Sequence, residues 1–189
     1  MPHSLSPPSA WVRRFVPIIR PKGRVLDLAA GRGRHTALLL RLGFRVRAID
    51  RDTSALSAFA GPFCELVERD LETGAPLDLG GPYDGIVVTN YLYRPLFPAL
   101  EGALAAAGVL LYETFAQGNE AFSRPRNPDF LLRPGELLGA FPALTILAFE
   151  QGEVSRPRPS VRQRLAAVKG PLGRLPEAAG CEEGLGAEG

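Results

Sequence analysis

Histidine, cysteine, methionine and tryptophan are all scarce in this chain: two, two, one and one among 189 residues. With only His3 and His35, a histidine-based zinc site is nearly excluded. Cys64 and Cys181 form neither a metal-ligand spacing nor a disulfide framework. Cys64 falls in an apolar run and reads as a reduced core residue. No apolar run is long enough to span a bilayer. Residues 1–10 lack the basic-then-apolar pattern of a secretory leader, and no internal repeat is present. Together these absences predict a cytoplasmic protein without a membrane partner and without a resident metal.

What is present suits a globular chain. A 46% hydrophobic content and a mean hydropathy of +0.02 fit a protein that folds in water. The length allows one domain with a real core. Residues 1–8 are rich in serine and proline and are expected to be loose. Residues 9–169 are expected to form the domain. Residues 170–189 are Gly, Pro and Glu with little to bury, and are expected to be disordered. The net charge of +2 conceals an asymmetry. Residues 1–60 hold eleven Arg and Lys against three acids, residues 154–176 six against none, and residues 177–189 four Glu and no base. A basic face can attract an anionic substrate or a nucleic acid. No nucleic-acid-binding motif accompanies it, so it reads as an arginine-rich solvated surface. The composition carries no signal of oligomeric state.

The chain is organised around residues 25–42. Val25, Leu26, Asp27 and Leu28 form a short apolar run with one acid; Ala29, Ala30, Gly31, Arg32 and Gly33 follow; then comes a helical run from Arg34 to Leu42. This reads as a buried strand, a tight glycine turn and a helix. Gly31 and Gly33 let the backbone turn sharply and let a ligand approach without meeting a Cβ. The free N–H groups at the start of the helix suit an anion. A dinucleotide-binding turn would carry glycine at a third position, where Thr36 stands. Asp27, ahead of the glycines, faces a pyrophosphate badly but would accept a hydrogen bond from an ammonium group. The ligand that fits is an amino acid joined to a nucleoside.

Residues 25–33 resemble the first motif of class I S-adenosylmethionine-dependent methyltransferases, Asp/Glu-x-Gly-x-Gly-x-Gly, with Ala29 where the first glycine usually stands. Within that class the turn is most similar to small bacterial enzymes related to the tellurite-resistance methyltransferase. The resemblance implies S-adenosylmethionine as cofactor. It also implies an α/β, Rossmann-like fold, with a seven-stranded, mostly parallel sheet in the order 3-2-1-4-5-7-6 and an antiparallel last strand. Asp50 ends the second strand twenty-three residues after Asp27, where a carboxylate accepts both ribose hydroxyls. The resemblance places the adenine amino group at Asp70, with the Leu71 backbone beside it, and the methionine portion near Asn90. Arg51 follows Asp50 where the adenine ring would lie. The implied cofactor residues are therefore Asp27, Ala29, Gly31, Gly33, Asp50, Arg51, Asp70, Leu71, Asn90 and Tyr91.

Taken in order, residues 9–16 read as a short amphipathic helix capped by Ser9, with Trp11 either walling the cleft or packing. Strands are expected at residues 24–28, 44–50, 62–70, 83–90, 109–115, 144–150 and 161–168, the last by its alternation. Helices are expected at 33–41, 52–60, 95–106 and 135–141. Residues 72–81 are too rich in Gly and Pro for a helix. Residues 90–93, Asn-Tyr-Leu-Tyr, occupy the position where amino-directed DNA and protein methyltransferases carry Asn/Asp-Pro-Pro-Tyr. The two prolines are absent, which argues against base or glutamine N-methylation. Residues 116–134 form a long connection at the ligand-bearing edge and read as a lid or substrate wall, with Asn119, Arg124, Arg126 and Asn127 as candidate contacts.

Methyl transfer to a small-molecule acceptor is the expected activity. The cofactor supplies its own leaving group, so the protein must align the nucleophile and exclude water, and a dedicated base is optional. No catalytic base stands out. His35, at a helix N-terminus, should be neutral at pH 7 and either accepts a proton or packs locally. Tyr91 and Tyr93 are the other candidates. The alternatives are a non-catalytic module that binds S-adenosylmethionine, an NAD-dependent oxidoreductase, and an RNA methyltransferase using the basic face.

Overall fold

The computed structural model describes residues 5–74 and 77–171. The elements run in the order α1 (Ala10–Phe15), β1 (Arg24–Leu28), α2 (Arg34–Arg41), β2 (Arg45–Asp50), β3 (Cys64–Glu68), β4 (Tyr83–Thr89), α3 (Phe97–Ala103), β5 (Leu104–Phe115), α4 (Glu136–Ala140), β6 (Thr145–Val154) and β7 (Ser160–Val168). All seven strands join one sheet in the order β3-β2-β1-β4-β5-β7-β6. β1 to β5 pair in parallel, β6 runs in the same direction, and β7 runs antiparallel to both of its neighbours, β5 and β6. This is the sheet that the resemblance implied.

Alternation along the central strands divides the core in two. Leu26, Leu28, Ile86, Val88, Leu110, Tyr112, Leu165 and Ala167 point to the face covered by α3 and α4. Val25, Val87, Val109, Leu111 and Ala166 point to the face covered by α1 and α2. Side chains two apart share a face of a strand, so strands buried on both sides must be apolar at nearly every position. Asp27 breaks that rule in β1 and Glu113 breaks it in β5; both are buried. Each polar intrusion therefore needs partners.

Two expected elements differ, and one of the two roles open to Trp11 holds. Residues 52–60 do not form an α-helix: Ser54–Phe59 is 3-10 helix. It is one short stretch closed by Gly61 and Pro62, too brief to nucleate an α-helix. The helix expected over residues 95–106 stops at Ala103, and β5 begins at Leu104, paired with Tyr83. Helix propensity favours the alanines at 105–107, but the pairing with β4 overrides it, with a bulge and a left-handed Ala107 (φ 59°). Trp11 does not wall the cleft. It is 3% exposed, packs in the core and donates its indole N–H to the Leu165 carbonyl at 3.2 Å. The expected tail disorder concerns residues that, from 172 onward, lie outside the described ones. Among the described residues no helix is long and apolar enough to cross a membrane, and no group of three or more His, Cys, Asp or Glu side chains could hold a metal.

Candidate active site

The chain passes β1, β2 and β3 on one side of the sheet and then returns to place β4 on the other side of β1. That reversal leaves a crevice beyond the carboxyl ends of β1 and β4, where open α/β sheets bind ligands. A cleft of about 380 Å³ lies there. Its walls are the turn after β1 (Ala29, Ala30, Gly31, Arg32), the first turn of α2 (Arg34, His35), the end of β4 (Thr89, Asn90) and, from the N-terminal segment, Leu5 and Ser6.

The turn is built as the glycines suggest. Gly31 and Gly33 have φ of 56° and 80°. A Cβ on Gly31 would meet no atom within 4 Å, so that position is open. A Cβ on Gly33 would lie 2.6 Å from Phe59 and 2.7 Å from Leu56, so that position is closed by the 3-10 helix behind it. Ala29 also takes a left-handed conformation, φ 51°. This explains why glycine suits the position in the motif it resembles. Ala29→Gly relieves that strain and is expected to stabilise the fold by about 0.5–1 kcal/mol, measured by urea unfolding; a loss of stability counts against the left-handed geometry.

Asp50 closes the turn from the side. Its carboxylate accepts the Gly31 N–H at 2.7 Å and the Asp52 N–H at 3.2 Å, and the residue is half-buried beside the turn that lines the cleft. Asp27 is different. It is 1% exposed beneath the turn and accepts the Thr36 hydroxyl at 2.6 Å. Its carboxylate fastens α2 to β1, and Asp27 is not among the residues that line the cleft. Burial pushes its pKa up to about 6, against the opposing Thr36 hydrogen bonds.

His35 is 2% exposed and neutral, its pKa pulled down to about 3 by burial and then by the Arg34 charge. Its Nε2 accepts the Ser9 N–H at 3.1 Å, so Nδ1 carries the hydrogen and donates it to Thr89 Oγ1 at 3.2 Å. Both nitrogens are occupied, and His35 serves as a bracket between the N-terminal segment and β4. His35 and Asp27 make opposite contributions to acid stability. His35, depressed when folded, favours unfolding as pH falls from 6.5 to about 3; Asp27, raised when folded, favours folding as pH falls from about 6 to 3.8. In urea titrations at several pH values, His35→Asn is expected to gain stability relative to the wild type on acidification through this range, and Asp27→Asn to lose it. Parallel curves overturn the assignment.

The remaining expected residues lie outside the lining of this cleft. Asp70 is exposed, two residues past β3, and caps a turn by accepting the Glu72 N–H at 2.9 Å. Leu71 is buried in the core and Arg51 is exposed. Tyr91 and Tyr93 are half-buried against the core. The Tyr91 hydroxyl is shut off from solvent without a hydrogen-bond partner in bonding geometry; burial, then the nearby Glu72 and Asp70 carboxylates, raise its pKa. The structure thus brings Ala29, Gly31 and Asn90 together, with Asp50 on the turn.

Asn90 follows β4 in a left-handed conformation, φ 57°, which asparagine tolerates. Its N–H donates to the Glu113 carbonyl at 2.8 Å, and its Oδ1 accepts Arg162 Nη1 at 2.7 Å. Glu113, 6% exposed, lies beneath, with Arg162 at 3.2 Å, Arg164 at 3.6 Å and the Ser9 hydroxyl donating to Oε2. Sequence reasoning missed this cluster. Its one signal was a glutamate inside the apolar run 109–115, which demands a buried cation opposite. The connection 116–134 is anchored at both ends. Leu132 exchanges backbone hydrogen bonds with Phe115 and Gln117. Arg94 binds the Asp129 and Leu131 carbonyls and the Glu136 carboxylate, 2.6 Å at the closest. Asn119, expected as a substrate contact, is fully buried and holds the connection together through Ser123, Pro125 and Val161. Asn127 accepts the Asp129 N–H, while Arg124 and Arg126 are exposed.

The fold is that of the class I S-adenosylmethionine-dependent methyltransferases. Among solved structures, TehB from Haemophilus influenzae aligns with a TM-score of 0.67 at 18% identity, over 82% of this chain and 60% of that one. A 1,6-didemethyltoxoflavin-N1-methyltransferase from Burkholderia thailandensis, solved with its substrate and S-adenosylhomocysteine, aligns with a TM-score of 0.62 at 22% identity, over 85% of this chain and 76% of that one. A protein-L-isoaspartate O-methyltransferase of Methanoregula boonei is 38% identical over 76 residues, which is 36% of this chain and 34% of that protein. The chain thus matches about a third of the curated relative's length. No protein-family model matches the chain.

Proposed function

We propose that this chain is an S-adenosylmethionine-dependent methyltransferase acting on a small-molecule acceptor, with residues 9–169 as its methyltransferase domain. The observation that carries this reading is Asp50: a carboxylate at the end of β2, bonded to the open Gly31 turn beside a cleft at the point where the sheet reverses. That pairing of an acid with a glycine turn fits a ribose next to a backbone that a ligand can approach closely. Asp50 holds the ribose hydroxyls. Gly31 and Ala29 supply main chain along the ligand, and Gly33 keeps the turn in shape. Asp70, through its second carboxylate oxygen, and the Leu71 backbone receive the adenine, with Arg51 at its edge. Asn90 and Tyr91 border the methionine end, and Asp27 acts on the site through α2.

When bound, the cofactor supplies a methyl group on a positively charged sulfur and carries the leaving group with it. The chain's own residues orient and dry the site. With the His35 nitrogens occupied, no side chain among the described residues lining the cleft presents a free basic nitrogen to an acceptor, which suits a nucleophile that needs no deprotonation. The small acceptor is favoured by structural neighbours of that kind, such as the toxoflavin-precursor enzyme. The test is parallel calorimetric titration with S-adenosylmethionine, S-adenosylhomocysteine and NAD. Micromolar binding of the two adenosyl-sulfur ligands and none of NAD is expected; binding of NAD alone overturns the reading. Screening of small acceptors then separates the enzyme from a binding module without turnover.

A further inference from the structure

One wall of the cleft comes from a segment outside the sheet. Leu5 and Ser6 face the glycine turn across the cavity, and the segment is tied down at three points. The Pro7 carbonyl accepts Arg34 Nη1 at 3.4 Å, the Ser9 N–H donates to His35 Nε2 at 3.1 Å, and the Ser9 hydroxyl donates to Glu113 Oε2. Immediately afterwards α1 is fixed, because Trp11, Val12 and Phe15 are buried in the core. Any movement that exposes the cleft therefore hinges where Ser9 joins α1, and Pro7 and Pro8 make the moving part stiff.

We propose that residues 5–9 are a latched strap over the ligand cleft, that Glu113 is the latch, and that the latch is shared with the residue at the reacting end, Asn90. Glu113 places its two oxygens on different tasks: Oε2 receives Ser9, while Oε1 receives Arg162 Nη1, which also donates to Asn90 Oδ1. Opening the strap removes a donor from a buried carboxylate, which then draws more heavily on Arg162 and loosens its hold on Asn90. Closure of the strap and alignment of Asn90 are thus one event, carried by a continuous chain of bonded groups rather than by proximity alone. Ser9, Glu113 and Arg162 are positioning residues, since they act through the strap and through Asn90.

This inference rests on the cofactor reading above, and the experiment separates the two. S-adenosylhomocysteine is bound to the full chain and its release followed by stopped-flow displacement. Ser9→Ala is expected to raise the dissociation rate by about tenfold or more, the loss of one hydrogen bond to a charged group. Ser9→Thr, which keeps the hydroxyl, restores slow release. Deletion of residues 1–7 removes the strap but leaves Ser9 to cap α1, and it also accelerates release. Ser9→Ala combined with Asn90→Ala gives less than the product of the single effects, because both act through Glu113 and Arg162. Tight binding by the wild type with release rates within twofold across Ser9→Ala and the deletion overturns the strap. Multiplicative effects of Ser9 and Asn90 overturn the shared latch. A wild type that does not bind S-adenosylhomocysteine overturns the cofactor reading itself, and the strap with it.

Discussion

Asp50→Ala is expected to weaken binding of S-adenosylmethionine and S-adenosylhomocysteine by about a hundredfold or more. A carboxylate that accepts two ribose hydroxyls makes two charge-assisted hydrogen bonds, worth about 1.5–3 kcal/mol each. The side chain is half-buried at the end of β2 and belongs to neither half of the core, so its removal leaves the core intact. It does release the Gly31 N–H, which solvent can satisfy, and the thermal midpoint should fall by only a few degrees. Asp50→Asn keeps one acceptor oxygen and part of the turn contact, so it should fall between the two. Calorimetry on the three proteins decides the matter: an Asp50→Ala protein that binds within threefold of the wild type removes Asp50 from the ribose.

Gly33→Ala is expected to be the most damaging single methyl group that can be added to the turn. The residue sits at φ 80°, and its new Cβ would press into Phe59 and Leu56 at 2.6 and 2.7 Å. Left-handed strain and overpacking together cost about 2–4 kcal/mol, or roughly 5–15 °C in thermal midpoint for a chain of this size. Gly31→Ala is the matched control. It carries the same backbone strain, φ 56°, with nothing within 4 Å of the added atom. Its stability should drop by only about 1 kcal/mol, while ligand affinity falls because the methyl group projects into the space the ligand needs. Equal thermal losses in the two variants contradict the packing of Phe59 and Leu56 against the turn.

The sheet was legible because its signals are local and repeated. Apolar runs bounded by glycine mark β1, β4 and β5, and the spacing from Asp27 to Asp50 marks a strand, a helix and a second strand. The failures have one physical origin. In a short segment the surroundings can outweigh local preference: the alanines at 105–107 are drawn into β5 by β4 against their helix propensity, and residues 54–59 tighten into a 3-10 helix between two strands. The same applies to the site. Glycines and a strand-end acid announce themselves in sequence order. Asp27 reads as a ligand group in the sequence because it stands just ahead of the glycines; its bond to Thr36 is visible only in the fold. Glu113, Ser9 and Arg162 are separated by 49 to 153 residues along the chain, and no local pattern joins them.

The position of β7 has a consequence for how the molecule comes into being. The strand is nearly the last to be synthesised among the described residues, yet it is not added at an edge; it enters between β5 and β6. Until it does, β5 presents an unpaired apolar border, and β6 has nothing to join. Arg162 and Arg164 arrive with it. A nascent chain therefore carries its glycine turn early but completes the Asn90 and Glu113 cluster only when β7 inserts. The interval between those events is when the partly built sheet is most open to pairing with another copy of itself.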